Sequence, residues 1–397
     1  MRIVFYSYST TLYGAPTSLL NLIQGLTEKD GALKIYVVVP SDGPLVEELK
    51  RLPITVMKIP FARWIYKTAM YKNKEKVSPV LAKLWFFKNL VSKLFLNIFW
   101  FPIHLVQVYR IRPDIIYTNS SMSPMGPVVA KFLGILSVWH HRETINDPAT
   151  DFFLEWPANI SKRILNWPQI HIHPSSFLKQ TYKPYVNSGE SFVVFNGVEP
   201  TSGSTREVRK SKFPVFGMVG RLNIQKGQAE IVNIFSKVPN AVLNLYGTAE
   251  KSYLDRLKGM AVSNVHFRGY HPQDIIYREI DFLIVNARNE SFGRVVAEAF
   301  AYGIPVFALR SGALPEIVQD GKTGFLFKDM DELGKLVESV FEVYSNGVYR
   351  AMQNCCKETF ENMFSIQKYS SSIYKILHSA VGSAGKTEEL KKTAHRR

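Results

Sequence analysis

Short apolar, β-branched runs alternate with stretches of helical spacing along most of this chain. Ile3–Tyr6, Ile35–Val39, Thr55–Ile59, Ile115–Thr118, Ile135–Trp139 and Ile170–His173 read as strands. Ala15–Leu26 has the spacing of a helix, and the polar segment Asp42–Leu52 separates the second and third runs. Near-continuous apolar strands parted by helices indicate βα units around a buried parallel sheet.

The rhythm stops at residues 199–212, EPTSGSTREVRKSK, which offers almost nothing to bury and reads as a linker or exposed loop. It restarts with Val215–Val219, Val242–Tyr246, Val265–Phe267, Phe282–Val285 and Val306–Ala308. The pattern predicts two doubly wound α/β domains, 1–198 and 213–362, with their strand C-termini facing a central cleft. Residues 363–385 are expected to form a helix returning to the first domain, and the charged stretch 386–397 a disordered tail.

A second interruption, 61–112, begins with a basic and aromatic segment that includes Arg63, Trp64, Tyr66, Lys67, Tyr71 and Lys72. It continues through Leu84–Tyr109, where bulky apolar residues are interleaved with Lys88 and Lys93, just after Lys83. The lysines argue against a membrane span. Two readings stand: an amphipathic helix in the headgroup layer of a membrane, or a core-facing helix packed on the first domain.

The length of 397 residues suits two domains, and 46% apolar with 21% charged residues excludes wholesale disorder. A net charge of +16 calls for an anionic partner: phosphorylated substrate, anionic membrane surface or nucleic acid. The two cysteines, Cys355 and Cys356, are adjacent, which rules out a disulfide framework and favours a reducing compartment. The start of the chain is too briefly apolar for a secretion signal, so a cytoplasmic location is expected.

Chemistry concentrates in two segments. In Asn289–Pro305 a strand gives way to a loop carrying Glu290, then Ser291-Phe292-Gly293 leads into a helix near Arg294 that carries Glu298. A glycine at a helix start lets a ligand approach backbone N–H groups suited to phosphate. In Val219–Gly227 a strand ends and Arg221 and Lys226 follow, two cations able to grip a diphosphate and stabilise it as it leaves. The plainer alternative for these four side chains is a charged surface. Asp329 and Asp331 spell D-x-D, but they precede a helical pattern and read as caps. His171 and His173 alternate on an apparent strand without further evident metal ligands.

Glu290 and Glu298 are separated by seven residues, the E-x7-E spacing. With it come YGAPTSLL (13–20), RPDIIYTN (112–119), NGV (196–198), GRLNIQKG (220–227), GIPVFALRSGALPEIV (303–318) and GKTGFLF (321–327), in that order. Together these resemble the retaining glycosyltransferases of the GT-B fold, sequence family 4 (glycosyl transferases group 1). The resemblance implies a hexosyltransferase that moves a hexose-type sugar from a nucleotide diphosphate donor to a lipid-linked or polysaccharide acceptor. The expected setting is bacterial cell-surface polysaccharide synthesis, in the cytoplasm or peripherally on the inner face of its membrane. No cofactor, metal or nucleic acid is expected.

By the same resemblance Glu298 would bind the ribose, and Glu290 would lie near the anomeric centre. Arg221 and Lys226 would hold the diphosphate with the backbone of Ser291, Phe292, Gly293 and Arg294. Asn196 belongs to the junction motif on the donor side, and Gly14 and Ala15 to the acceptor-side loop. Retention would proceed by front-face attack, with a donor phosphate oxygen helping to deprotonate the acceptor. Two features depart from the pattern. Tyr13 stands where a second glycine is usual. The family histidine falls on one of His140, His141 or Arg142, and we take His141 and Arg142 as catalytic candidates. An epimerase of the same fold, or a nonenzymatic binder of anionic membrane or polymer, are the competing functions.

Overall fold

Five of the six residues of the first strand, β1 (Arg2–Ser7), are buried, as expected where both faces of a strand are covered. Helix α1 (Ala15–Lys29) leads to β2 (Lys34–Val39), and α2 (Pro44–Leu49) to β3 (Thr55–Lys58). The short β4 (Ile65–Tyr66) precedes the long α3 (Pro79–Ile111). Then follow β5 (Ile115–Asn119), α4 (Met125–Leu133), β6 (Leu136–His140), β7 (Phe153–Leu154), α5 (Ala158–Leu165), β8 (Ile170–His173), α6 (Ser176–Tyr182) and β9 (Glu190–Val193). This is a computed structural model that describes residues 1–66, 78–147, 153–154, 156–199, 213–345 and 347–394.

Seven of these strands form one sheet in the order β3-β2-β1-β5-β6-β8-β9, every neighbouring pair parallel. Ile3 lies opposite Ile35 on one side and Ile115 on the other. β4 and β7 form a separate antiparallel pair with Ile65 opposite Leu154.

The second unit repeats the plan: β10 (Val215–Val219), α7 (Gln228–Phe235), β11 (Val242–Tyr246), α8 (Lys251–Met260), β12 (Val265–Gly269), α9 (Gln273–Glu279) and β13 (Phe282–Val285). It continues with α10 (Arg294–Ala301), β14 (Val306–Leu309), α11 (Leu314–Ile317), β15 (Gly324–Phe327), α12 (Met330–Ser345) and α13 (Val348–Met363). Its parallel sheet has the order β12-β11-β10-β13-β14-β15, the doubly wound arrangement that reverses direction between β10 and β13. The final helix, α14 (Ile366–Ala394), belongs to the first unit, which comprises Met1–Gly197 and Ile366–Arg397; the second is Val198–Ser365. Tyr369, Ile373 and Leu377 of α14 pack into the core shared by α1 and the first sheet.

Several expectations change. Residues 386–394, read as part of a disordered tail, continue α14, in keeping with the good helix propensity of Lys and Glu. The linker at 200–212 and the basic segment at 67–77 lie outside the described residues. Glu190–Val193, an additional strand, escaped notice because its edge position leaves it only partly buried and too polar to stand out. Asp329 caps α12, its Oδ1 accepting from Glu332 N at 2.9 Å, which disposes of the D-x-D reading. Both cysteines are free thiols on α13.

The helix α3 meets neither of its two descriptions in full. One side packs on the first unit, burying Ala82, Asn97, His104 and Val108. The opposite side is not polar: Leu84, Phe87, Phe95 and Ile98 are each at least 60% exposed. By length and composition this helix could cross a membrane.

Candidate active site

In the second unit the loops after β10 and β13 meet at the topological switch point, where parallel sheets of this kind open a crevice. After β10 the chain turns at Gly220, exposes Arg221, and forms a 3₁₀ turn, Ile224–Lys226. Asn223 caps that turn, its Oδ1 accepting from Lys226 N at 3.1 Å. Gln228 pins the loop from the other side: its Oε1 accepts from Asn223 N at 3.2 Å, and its Nε2 donates to Arg221 O at 3.3 Å. Gly227 is left-handed, with φ of 65°, and a Cβ there would collide with Asn286 Nδ2. The loop is therefore rigidly set, and it delivers Lys226 Nζ to within 3.1 Å of Glu290 Oε2.

Glu290 is fixed by its own neighbours. Ala313 N donates to Glu290 O at 2.8 Å, and Asn289 N donates to Ser311 Oγ at 3.1 Å. Between them Gly312 runs so close that a Cβ would lie 2.5 Å from Glu290 N and O. The segment 311–313 thus serves as a backbone clamp on the Glu290 loop.

Gly293, at φ 83°, starts α10 without a side-chain cap. Ser291 is half-buried beside it, and Phe292 is buried with its ring 5.9 Å from that of Phe364. Arg294 and Glu298, one turn apart on α10, form an ion pair, Nε to Oε1 at 2.8 Å. The other carboxylate oxygen, Oε2, accepts from Tyr277 OH at 2.9 Å. Burial, and then the charge of Glu298, push the Tyr277 hydroxyl well above its ordinary range, so it stays a donor. Glu298 is 5% exposed and held on both oxygens, each of which keeps lone-pair capacity for a ligand hydroxyl.

The first unit gathers a second group of expected residues. Gly14, with φ of 62°, is exposed ahead of α1. Asn119, at the end of β5, donates through Nδ2 to Ala15 O at 2.9 Å, and its Oδ1 accepts from Arg142 Nε at 2.9 Å. Arg142 Nη1 donates to Asn196 Oδ1, and Nη2 to Tyr369 OH at 2.7 Å. So Ala15 and Asn196 are linked through Asn119 and Arg142, and Asn119 is a residue that local sequence reasoning did not single out.

The two catalytic candidates of this unit are corrected. His141 is fully buried. Its Nδ1 lies 2.7 Å from Ser121 Oγ and its Nε2 3.0 Å from His171 Nδ1, so neither ring nitrogen is left for a ligand. Its ring stacks on those of His171 and His173, at centroid distances of 5.3 and 4.9 Å. Arg142 is 5% exposed and directs three donors at protein partners. His140 is buried as well, its Nδ1 2.5 Å from Tyr117 OH. Burial holds all of these histidines well below their ordinary range, and so uncharged. Among the described residues no group of three or more His, Cys, Asp or Glu is placed to hold a metal ion.

Tyr277, Gln228 and Gly312 likewise support the site without a local sequence signal of their own. Tyr277 sits on a different helix from Glu298, so only the fold reveals the pair, whereas Gly312 lies inside the motif at 303–318.

Residues 204–358 match the family model of the glycosyl transferases group 1. An uncharacterized 41.2 kDa protein in the cps region of Klebsiella pneumoniae is 29% identical over 178 residues, 44% of this chain and 48% of that protein. The sulfoquinovosyl transferase SQD2 of Arabidopsis thaliana is 26% identical over 254 residues, 58% of this chain and 50% of that protein. The matches thus span about half the length of these relatives. Among solved structures, Anabaena HepE in complex with UDP and glucose superposes with a TM-score of 0.71 at 19% identity, covering 96% of this chain and all of that one. This likeness concerns the fold, two parallel sheets flanked by helices.

Proposed function

The chain belongs to the glycosyl transferases group 1, with the GT-B fold, and from that premise we propose that it is a retaining glycosyltransferase using a nucleotide diphosphate sugar. The observation that carries the reading is the approach of Lys226 to Glu290 at the switch point of the second unit, next to the glycine-started α10. Lys226 and Arg221 supply positive charge to the diphosphate, and the N-terminus of α10 adds its dipole. Glu298, oriented by Tyr277 and Arg294, receives the ribose hydroxyls. Glu290 lies beside the sugar.

In the transfer the bond from the anomeric carbon to the diphosphate oxygen breaks, and a bond to the acceptor oxygen forms on the same face. The acceptor proton passes to a phosphate oxygen. Charge accumulates on the departing diphosphate, where Lys226 and Arg221 stabilise it, so no metal is required for that role. Support for a uridine nucleotide comes from the fold neighbour solved with UDP and glucose. Support for cell-surface polysaccharide synthesis comes from the relative in a cps region. The acceptor is lipid-linked or saccharide, the sugar hexose-type, and the site of action the inner face of the cytoplasmic membrane, where anionic lipid meets a chain of charge +16.

The test is single-turnover transfer and hydrolysis with radiolabelled UDP-, GDP- and ADP-sugars. Glu298→Ala and Lys226→Ala should each cripple donor turnover with circular dichroism unchanged. Undiminished turnover in both variants overturns the proposal, and isomerised donor without transfer would favour an epimerase.

A further inference from the structure

The outward face of α3 is built in reverse for a helix on the surface of a soluble domain. Its polar residues Asn97 and His104 lie on the packed side. Asn97 Oδ1 accepts from Ala62 N at 2.7 Å, and the two ring nitrogens of His104 lie 3.2 Å from Tyr6 OH and 3.3 Å from Pro60 O. The side facing away carries Leu84, Phe87, Val91, Phe95, Ile98 and Val106, between 46% and 68% exposed. Their spacing is helical, so they form one stripe along about 33 Å of the helix. Lys83 and Lys88, both exposed, fall on opposite flanks of that stripe. An uncovered apolar patch of this length marks an interaction surface rather than ordinary solvent-facing sequence.

We propose that α3 lies flat in an anionic bilayer, with this stripe among the acyl chains and Lys83 and Lys88 at the headgroups. The inference deepens the membrane part of the proposed function and names the element responsible. Two observations select the occupant and the orientation. The chain carries a net charge of +16, which attracts an anionic lipid surface and repels a second copy. The packed side is tied to the unit through Ala62, Pro60 and Tyr6, and a spanning helix would have to abandon those bonds and surround that side with lipid. An in-plane helix keeps them, and its flanking lysines extend to the headgroups as interfacial helices require.

The experiment uses the full chain with vesicles of phosphatidylcholine alone or with added phosphatidylglycerol. Binding is read by sedimentation, and insertion by quenching from acyl-chain bromines. The wild type should bind the phosphatidylglycerol vesicles. The triple variant Phe87→Glu, Phe95→Glu, Ile98→Glu should bind at least about tenfold more weakly, with its thermal midpoint and donor hydrolysis retained. A tryptophan added in place of Leu84, Phe95 or Val106 should in each case raise the quenching by shallow bromines above that of the wild type, which has six tryptophans, and to the same degree. Absence of binding by the wild type overturns the proposal. A depth gradient among the three tryptophans overturns it in favour of a span. A lipid-free dimer that the triple variant dissolves overturns it in favour of a second copy. Donor hydrolysis without vesicle binding sinks only the docking. Vesicle binding without donor turnover sinks only the transferase reading.

Discussion

Lys226 Nζ stands 3.1 Å from Glu290 Oε2, a pair formed across two loops that follow neighbouring strands. On the proposed reading, the carboxylate holds, in the absence of donor, the cation that a diphosphate would claim. Glu290→Gln should therefore bind a nucleoside diphosphate at least as tightly as the wild type, since a competing anion is gone. Transfer should nonetheless fall by about 100-fold or more, because the group beside the sugar is neutralised. Calorimetric titration with UDP beside steady-state transfer separates the effects. Weakened UDP binding would show that Glu290 helps to hold the diphosphate.

Tyr277→Phe removes a hydroxyl that lies 2.9 Å from Glu298 Oε2 and 3.3 Å from Val295 O, while the ring still stacks 5.3 Å from Tyr302. Arg294 alone then orients the carboxylate. The donor KM should rise about tenfold while kcat changes by less than about threefold. Equal losses in both constants would mean that the tyrosine acts in the chemical step or in the fold, not in placing the ribose contact.

Arg142 ties Asn119, Asn196 and Tyr369 together in the interior of the first unit. Arg142→Met leaves three buried polar groups without that partner and should cost about 3 kcal/mol or more of stability. Lysine should not rescue it, since a single ammonium cannot reproduce the planar fork. Urea unfolding of the three proteins is the measurement, and restoration by lysine would contradict the account.

The buried histidines make the first unit sensitive to acid. Burial pulls His104 and His171 down to about 4 and His173 to about 3, and it holds His140 and His141 well below the usual value. In the unfolded chain all five would titrate near ~6.5. As pH falls the unfolded state takes up protons first, so this stability is complete above about 6.5 and drains away toward about 4. Burial raises the Glu143 carboxyl, which works in the opposite sense, one group against five. The thermal midpoint should drop by at least about 5 °C between roughly pH 7.5 and pH 5. A flat profile over that range would rule the account out.

What the sequence determined by itself was the βα rhythm, the division near residue 198, and the placing of Arg221, Lys226, Glu290, Gly293 and Glu298 just after strands or at a helix start. Those features are local. Strand period, helix-start glycine and the spacing of two carboxylates are all properties of a few consecutive residues. Only the tertiary structure decided which distant groups support them. Tyr277 reaches Glu298, Gly312 clamps Glu290, and Asn119 joins Ala15 to Arg142 because the parallel sheets bring helices and loops that are distant in sequence side by side. It also changed the reading of His141 and decided which side of α3 packs on the first unit. A histidine after a strand looks the same in sequence whether it meets ligand or stacks on His171 and His173. An apolar helix looks the same whether its stripe faces the core or, as here, faces away from it, because periodicity fixes which residues share a face and not what that face touches.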